Sequence, residues 1–413
     1  MPEIQPFRAW LYSKKFKSEI SNLISPPYDV ISKDFHEELK GLHPQNSVRL
    51  CLVDSPDDQK SYETTAATFS SWKQEGVFEQ APAPSLYLTE EEFEIDGQQR
   101  RRLGFVSLVR VTPFEEKRIL PHEFTLAGPK KDRLALLKAM NAELSQIFLC
   151  YRDEKQVLEN IHKKLIDRKA APDAEMRDYQ GVKRKMWIVS DPIDIAAVQN
   201  MLKDQSVLIA DGHHRFETAV AFSKEEPNRG AYVQAYFTNL AGPEFTILPI
   251  HRLFSLPENL SAEMFMERLK EIFTVETWKG ELSLPKLMAL RKSDPSKIYL
   301  VLALSGSKDR LLISRKKNSQ DDAEIFALQK DIFERVLDWD TSKVAKGVIQ
   351  YEHETQDFLK TLSALPRGAG FFLPSTDIDL VMRRAQQGER MPQKSTFFYP
   401  KLASGLITYE LPK

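Results

Sequence analysis

The chain has 413 residues, of which 42% are hydrophobic and 28% are charged, and its formal net charge at pH 7 is −1. These proportions are typical of globular proteins and speak against a disordered chain. Single hydrophobic cores stop growing at roughly 250–300 residues, so the length predicts two or three sub-domains. A dedicated DNA-binding protein usually carries a basic excess, which this chain lacks. Nucleic acid is therefore not the partner we expect.

Two cysteines, Cys51 and Cys150, stand far apart in apolar surroundings. Two isolated thiols build neither a disulfide framework nor a zinc site, so we expect both to be buried and reduced. The first residues lack the basic and apolar regions of a signal peptide, and no run of about 18 apolar residues follows. We therefore expect a cytoplasmic protein that does not interact with membranes.

The first part of the chain is predicted to mix helices and strands. The pair Pro26-Pro27 forces an extended backbone, and Asp96-Gly97 is a hairpin signal between two β-rich segments. Apolar spacing supplies the other elements. We predict helices over residues 57–74, 131–146, 154–168, 193–203 and 216–224, and strands over residues 85–94, 101–111, 145–151, 185–190, 206–210, 231–238 and 245–254.

Beyond about residue 255 helices and strands alternate in shorter segments. This pattern predicts one domain over residues 1–255 and a C-terminal α/β sub-domain over residues 256–413, whose tail could return to the active cleft. Interleaved helices, strands and hairpins indicate an α+β, or mixed α/β, fold. In this part we predict helices and strands that alternate over residues 262–272, 297–304, 310–314, 325–336, 354–362, 370–373 and 376–387.

The segment Asp211-Gly212-His213-His214-Arg215 is the strongest candidate for a functional site. It follows a short apolar strand and opens a helix, whose free N–H groups and dipole favour an anion. Gly212 lets the backbone approach a bound ligand closely, and the Arg215 guanidinium can donate two hydrogen bonds to a phosphate. Asp211 could hold Mg²⁺, orient a histidine or accept a proton. A plain strand end with solvated histidines is the alternative, and zinc is disfavoured because adjacent residues face different sides of a helix.

Five further residues are candidates for the same chemistry. His122 and Glu123 form a loop pair suited to a general base or a metal ligand. Tyr28 and Asp29 follow the rigid proline pair, which could fix their side chains near a pocket, although an ordinary turn explains them equally well. Arg49 is a further anion contact, although a structural role suits it as well.

The C-terminal tail offers a second cluster of polar groups. Lys394 and Ser395 could bind an anion through their ammonium and hydroxyl groups. No Gly-x-x-x-x-Gly precedes Lys394, so this is not a P-loop. The aromatic residues 397–399 could stack a base, but such a trio is more often part of a core.

Five ordered stretches resemble one protein family over nearly the whole chain, the domain-of-unknown-function 1015 family. They are Ser-Pro-Pro-Tyr-Asp-Val-Ile at 25–31, His-Pro-Gln-Asn-Ser-Val-Arg at 43–49, Pro-His-Glu-Phe-Thr at 121–125, Ala-Asp-Gly-His-His-Arg-Phe-Glu-Thr-Ala at 210–219, and Met-Pro-Gln-Lys-Ser-Thr-Phe-Phe-Tyr-Pro-Lys-Leu-Ala-Ser-Gly-Leu at 391–406. One departure from the family's pattern is Gln393, where a second proline is usual.

The Asp-Gly-x-His-Arg core is similar to the phosphate-binding signature of the ParB/sulfiredoxin superfamily, which includes free-serine kinases. This resemblance implies a ParB/sulfiredoxin-like core. It also implies that a carboxylate, Glu123 or Asp29, takes the serine hydroxyl proton. Sulfiredoxin chemistry is not implied, because it needs a cysteine where this chain has His213. The residues implied to bind the donor phosphate and its metal are Asp211, His213, His214 and Arg215.

The leading hypothesis is therefore a Mg²⁺-dependent phosphotransferase that acts on a small hydroxyl substrate, with L-serine as the first candidate. Pyrophosphate or a nucleotide would be the phosphate donor. A non-catalytic nucleotide- or nucleic-acid-binding module of the partition-protein kind stays open, as does a phosphoserine phosphatase that uses the same pocket. The expected partners are a small-molecule substrate and a phosphate donor, and a homodimer is left open.

Overall fold

The computed structural model describes residues 2–56, 58–95, 97–124, 128–242, 245–320, 322–340, 343 and 347–413. The chain divides into two compact units. The first unit is Met1–Thr246 with Pro400–Lys413, and the second is Ile247–Tyr399. The division thus falls before residue 255, and the last residues belong to the first unit instead of the second. The cause is that residues 251–255 pair within a sheet of the second unit, whereas Ser404 and Thr408 bond to Ser25 and Trp10.

Both units are built from strands and helices, so the protein has a mixed α/β fold. The strands, in chain order, are β1 (Ile4–Gln5), β2 (Trp10–Tyr12), β3 (Phe78–Gln80), β4 (Leu86–Ile95), β5 (Gln98–Arg110), β6 (Ile119–Leu120), β7 (Ala142–Glu143), β8 (Ile147–Tyr151), β9 (Ala174–Arg177), β10 (Lys183–Val189), β11 (Val207–Asp211), β12 (Tyr232–Asn239), β13 (Thr246–Leu248), β14 (His251–Ser255), β15 (Thr274–Thr277), β16 (Lys297–Leu304), β17 (Arg310–Lys316), β18 (Gln350–Glu352), β19 (Gly368–Phe372), β20 (Phe397–Tyr399) and β21 (Tyr409–Glu410).

The helices range from single turns to about four turns. They are α1 (Ile20–Leu23), α2 (Lys33–Leu42), α3 (Val48–Cys51), α4 (Gln59–Gln74), α5 (Gly128–Met140), α6 (Val157–Asp167), α7 (Pro192–Leu202), α8 (His213–Glu225), α9 (Ala262–Lys270), α10 (Leu284–Ser293), α11 (Glu324–Ala327), α12 (Thr355–Ala364) and α13 (Ile378–Gln387). A π-helical segment, Leu328–Val336, continues α11, and short 3-10 turns lie at Lys14–Phe16, Tyr28–Val30 and Phe114–Glu116. No helix within these described ranges is long and apolar enough to cross a membrane.

A mixed sheet organises the first unit, with strand order β6-β11-β8-β12-β5-β4-β10-β9 and β1 added beside β5. The pairs β6–β11 and β8–β12 are parallel, and the other pairs are antiparallel. Every residue of β8 is buried, as expected for a strand in the interior of a sheet. Helices α6, α7 and α8 place apolar side chains such as Leu158, Val198 and Phe216 in one core with β8, β11 and β12. This arrangement fixes the end of β11 next to the start of α8.

A buried charge network crosses the sheet of the first unit. Glu91 on β4 is 1% exposed and accepts hydrogen bonds from Arg102 on β5 and Arg184 on β10. Asp178 accepts from Arg184 at 2.7 and 2.9 Å, and the Tyr236 hydroxyl donates to Glu91 at 3.2 Å. Buried charges are tolerated only when they are paired and hydrogen-bonded in this way.

The two arginines of this network also bind the chain's last segment. Arg102 donates to the carbonyl of Pro400 at 2.8 Å, and Arg184 donates to the carbonyl of Lys401 at 2.5 Å. The network therefore fixes the backbone at residues 400–401 within the first unit.

The second unit contains an antiparallel sheet with strand order β15-β17-β16-β19-β14-β18. Apolar residues of β14, β16 and β19 pack with α9 and the π-helical segment, for example through Phe254, Leu300 and Phe371. A second cluster includes Leu253 and Val301 with Phe358 of α12. Each face of the sheet thus contributes to a core of its own, which accounts for the alternation of helices and strands in the sequence.

Most of the predicted elements are present, and two of them differ clearly in extent. The hairpin forms as β4 and β5, although Asp96 of its turn lies outside the described residues. The helix predicted over 131–146 ends at Met140, because Asn141 takes a left-handed backbone with φ of 52°. The strand predicted over 245–254 is split into β13 and β14 at Pro249, which has no N–H to donate. Both cysteines are buried and free, as expected.

We predict that Glu91→Gln lowers the free energy of unfolding by about 3–5 kcal/mol, because it leaves two buried guanidinium groups without their shared charge. Urea unfolding followed by circular dichroism measures this change. Glu94→Gln is the matched control, since it lies on the same strand with an exposed side chain and should change stability by less than about 0.5 kcal/mol. Equal stability of the two variants would contradict the role given to the network.

Candidate functional site

The candidate site is centred on the turn from β11 to α8. Gly212 lies between them in the left-handed region with φ of 89°, and no side chain caps the helix there. The first intrahelical bond runs from the Phe216 N–H to the Gly212 carbonyl at 2.9 Å. The three preceding N–H groups thus have no acceptor within the helix, and together with the helix dipole they favour an anion.

The conformation of this turn explains why a glycine occupies its centre. A Cβ atom on Gly212 would meet the Arg215 guanidinium at 3.1 Å, and its backbone angle would be strained for any other residue. The glycine therefore lets the guanidinium lie close to the start of the helix.

Asp211 is paired with two cations. Its Oδ2 lies 3.1 Å from the Arg215 guanidinium, and its Oδ1 lies 3.1 Å from the Lys401 ammonium. Burial alone would raise the pKa of Asp211, but the charges of Lys401 and Arg215 outweigh it and hold that pKa well below its usual range. Arg215 also donates to the carbonyl of Gln146. The carboxylate thus holds two cations beside the helix N-terminus, and the three groups together carry one net positive charge.

Two histidines contact each other at the same end of β11. The Nδ1–H of His122 donates to the Ile209 carbonyl at 2.7 Å, and the backbone N–H of His122 donates to Nε2 of His213 at 3.3 Å. The ring centroids are 4.7 Å apart at an angle of 69°. Nε2 of His122 lies 3.5 Å from Oε1 of Glu123, whose side chain is partly exposed. The His122-Glu123 pair predicted from the sequence is thus brought to the β11–α8 turn. His214, on the first turn of α8, is partly buried.

A small cavity of about 80 Å³ lies in the first unit beside Arg215, and Tyr28, Arg133 and Glu143 also line it. The Arg133 guanidinium stacks 4.4 Å from the centre of the Tyr28 ring. Burial raises the pKa of Tyr28, and the charge of Arg215 opposes that rise, which places Tyr28 within electrostatic range of the turn. Asp29 is exposed next to it. The structure therefore brings Tyr28 to the site and leaves Asp29 on the surface.

Glu143 is a residue of the cavity wall that the sequence analysis did not single out. Its Oε2 accepts a hydrogen bond from the Gln234 N–H at 2.7 Å. Burial raises the pKa of Glu143 to about 8, even though the Gln234 N–H and the charge of Arg215 act in the opposite direction. The residue lies in the segment predicted as helical, and no local signal in the sequence identified it.

Lys401 was also missed, although it lies within the last stretch that resembles the family. The sequence reasoning chose Lys394 and Ser395 from that stretch. These two belong to the second unit, where Lys394 is exposed and Ser395 is buried. The carbonyl of Lys394 accepts from Arg252 at 2.6 Å, and the carbonyl of Ser395 accepts from Thr376 at 2.6 Å. Their grouping with Asp211 stays a prediction.

The other candidate, Arg49, is engaged with α2. Its guanidinium donates to the Lys40 carbonyl at 2.9 Å. Its charge acts on His36 and Asp54, which lie nearby. These contacts give Arg49 a structural role in the N-terminal segment, and its assignment to substrate binding stays a prediction.

Three of the recognised stretches meet around one serine. The backbones of Ser25 and Ser404 exchange hydrogen bonds of 3.2 and 2.7 Å. The hydroxyl of Ser47 donates to the Ser404 carbonyl at 3.2 Å, and the hydroxyls of Ser145 and Ser404 are 2.7 Å apart. Segments distant in sequence thus pack closely beside the cavity. Their serines are small enough for this close approach and satisfy one another's hydrogen bonds.

The contacts of the carboxylates decide whether the predicted Mg²⁺ site fits this structure. Each oxygen of Asp211 already contacts a cation, so a metal ion would have to replace Lys401 or Arg215. Among the described residues, the group with metal-ligand spacing is His36, Glu37 and Asp54. Lys40 pairs with both of its carboxylates, which explains that cluster as an ion-pair network. Neither place fits a resident magnesium ion as it stands.

The fold and the turn define a mixed α/β protein with a helix N-terminus whose N–H groups and dipole favour an anion. Residues 4–339 match the family described as "Protein of unknown function (DUF1015)", and the chain belongs to this family. No curated protein matches the chain.

Three solved structures are similar at low identity. They are a free serine kinase in complex with AMP (14% identity, TM-score 0.39, covering 74% of this chain and 91% of that one), a conserved hypothetical protein from Pyrococcus furiosus (14%, 0.36, 73% and 95%), and SbnI with a C-terminal truncation from Staphylococcus aureus (11%, 0.36, 72% and 84%). With TM-scores below 0.5, these matches do not assign an activity.

We predict that Glu143 makes the stability of the protein depend on pH. The unfolded chain loses this proton near pH 4.5, whereas the folded protein keeps it to about pH 8. The folded state therefore binds more protons between these values, and the contribution of Glu143 to stability falls as the pH rises through this window. Melting temperatures between pH 5 and 8 should decline less in Glu143→Gln than in the unmodified protein. Glu79→Gln, an exposed control, should follow the unmodified protein, and parallel curves for all three would refute the prediction.

Proposed function

We propose that this protein is a phosphotransferase that moves a phosphoryl group from pyrophosphate or a nucleotide to the hydroxyl of a small substrate, with L-serine as the first candidate. The observation that supports this proposal is the β11–α8 turn, where three helix N–H groups, Arg215 and Lys401 converge beside Asp211. The choice of L-serine comes from the resemblance of the Asp-Gly-x-His-Arg motif to that of free-serine kinases.

Phosphoryl transfer depends on positioning and on neutralising charge more than on covalent chemistry. The helix N-terminus would bind the donor phosphate through its N–H groups. Arg215 and Lys401 would share their charge between Asp211 and the phosphate oxygens. The role we give to Asp211 is to hold both cations in place before the donor arrives, so that little rearrangement is needed.

The acceptor hydroxyl would lie in the cavity beside Tyr28 and Arg215. Its oxygen would form the new bond to phosphorus while the bridging P–O bond of the donor breaks, and the leaving phosphate would keep that electron pair. A carboxylate would take the hydroxyl proton. To the predicted candidates Glu123 and Asp29 we add Glu143, because it lines the cavity with Arg215 and its pKa of about 8 is close to the working pH of a general base.

Mg²⁺ would serve this reaction as part of the donor complex. Magnesium usually keeps several waters and binds through substrate phosphates with one or two carboxylates, where it neutralises phosphate charge. Glu123 and Asp29, both at least partly exposed, are better placed to supply such a carboxylate than Asp211, whose oxygens are paired.

We predict that the purified protein forms phosphoserine from L-serine with pyrophosphate, ATP or ADP in the presence of Mg²⁺, and that EDTA abolishes the product. Asp211→Asn should lower the rate by at least about 100-fold, since it releases both cations that stabilise the transferring group. Product formation followed by mass spectrometry measures this rate. Asp204→Asn, an exposed substitution just before β11, is the matched control and should retain full activity.

The outcomes of this assay separate the alternatives. No turnover with any of the three donors, together with measurable nucleotide or DNA binding, would refute the kinase and favour a binding module. Release of phosphate from phosphoserine, without the forward reaction, would favour a phosphatase that uses the same pocket.

We further predict that Gly212→Ala weakens pyrophosphate binding by about tenfold or more, because the added methyl displaces Arg215 from the turn. Gly76→Ala is the matched control. Gly76 also has a positive φ, of 66°, but a Cβ there meets no atom within 4 Å. Each substitution places an alanine in the left-handed region, which costs roughly 1–2 kcal/mol of stability, and only Gly212→Ala should change the Kd measured by calorimetry. An unchanged Kd for Gly212→Ala would argue against the turn as the phosphate site.

A further inference from the structure

The second unit contains a larger cavity, of about 450 Å³, whose lining residues all belong to that unit. Helices α10, α11 and α13 contribute to its walls, as does the segment that follows β19. Its volume is within the range of small-molecule sites, roughly 300–1,000 Å³. None of the residues of the β11–α8 turn lines it, so it is a separate feature of the molecule.

Basic side chains dominate the polar part of this wall. Arg291, Lys292 and Lys317 line the cavity. Arg291 is fixed by a hydrogen bond to the Ser375 carbonyl at 2.7 Å. Such a wall favours an anionic group, and a phosphate or a carboxylate would satisfy it equally well.

Other charged residues of the wall have structural partners. Arg252 donates to the carbonyls of Ile250 and Lys394. Asp322 pairs with Arg315 at 2.7 Å, and Asp377 caps the start of α13 by accepting from the Asp379 N–H. With Arg252 and Arg383 the wall holds five basic side chains, against the three acidic ones Asp322, Glu324 and Asp377, so its formal charge is positive.

Glu324 is an acidic group of the same wall, and it is in an unusual position. It is 5% exposed, and its Oε1 has no hydrogen-bond partner among the described residues. Its Oε2 lies 3.6 Å from the Arg291 guanidinium. Burial raises the pKa of Glu324. A buried acceptor without a donor is costly, and a ligand that brings a donor would relieve this cost.

The rest of the wall is apolar, with Met288, Ile325 and Leu380 among its residues. These side chains could pack against the carbon skeleton of a ligand. The cavity thus combines a basic wall, one buried acceptor and an apolar surface, which is the usual composition of a small-molecule site.

We propose that this cavity binds a small organic anion that carries an amino group, such as an acidic or phosphorylated amino acid. The anionic group lies against Arg291, Lys292 and Lys317, and the ammonium group donates to Oε1 of Glu324. The acid group is a carboxylate or a phosphate. An inorganic anion has no ammonium group to donate to Glu324, so the cavity binds the aminated ligand more tightly.

Calorimetric titration of the full-length protein with O-phospho-L-serine, L-aspartate and inorganic phosphate tests this proposal. At least one of the two aminated probes should bind at least about tenfold more tightly than phosphate, which corresponds to about 1.4 kcal/mol. Which of the two binds identifies the acid group as phosphate or carboxylate. Binding of phosphate as tight as that of both aminated probes, or no binding of either of them at millimolar concentration, would overturn it.

Variants locate the binding. Glu324→Gln and Arg291→Gln should each weaken the bound aminated probe at least about tenfold, which is about 1.4 kcal/mol. Lys292→Gln should weaken binding of the same probe by a smaller factor. Because Lys292 is exposed, this variant still tests the site if a buried substitution unfolds the unit. Glu281→Gln, exposed and outside the cavity wall, is the matched control and should bind as the unmodified protein does.

Asp211→Asn separates this site from the proposed active site, because it should leave the cavity's affinity unchanged even if it abolishes phosphotransfer. Loss of binding in Asp211→Asn, or unchanged affinity in all three cavity variants, would place the ligand elsewhere and contradict the proposal.

Discussion

The buried carboxylate of Glu91 is the interaction on which the arrangement of the first unit depends. It accepts hydrogen bonds from Arg102 and from Arg184, which also pairs with Asp178. These two guanidinium groups bind the carbonyls of Pro400 and Lys401. The ammonium group of Lys401 in turn contacts Asp211. This buried charge on β4 is therefore connected, through the two arginines and residues 400–401, to the turn at which we propose that phosphate binds. Because buried charges cannot be left unpaired, each member of this chain constrains the next.

The carboxylate of Asp211 shows how structure narrows a role that sequence leaves open. The residue type alone allowed a metal ligand, a base or a positioning group. Its contacts with two cations, and a pKa held low by them, favour the positioning role. By the same reasoning, the better candidate for the proton acceptor is a carboxylate that contacts no cation. Glu143 fits this requirement because burial keeps its pKa near 8.

The turn could be predicted because its signals are local: an apolar strand, a glycine and the opening of a helix are adjacent in the chain. The same holds for the β4–β5 hairpin and for most helices. Glu143 and Lys401 could not be identified, since their roles depend on contacts with residues 91 and 190 positions away, Gln234 and Asp211. Helical periodicity also continued past Met140 in the sequence, whereas pairing of β7 with β21 determines the backbone there. Local patterns carry no information about such partners.

The return of residues 400–413 to the first unit affects the order in which the protein can fold. During synthesis, residues 2–246 leave the ribosome long before the segment that carries Lys401 and β21. The second unit, made of one continuous stretch, has all its residues available earlier than the first unit does. Domains generally fold as units as the chain emerges. The β7–β21 pairing and the contact of Lys401 with Asp211 can therefore form only after residues 400–413 are made.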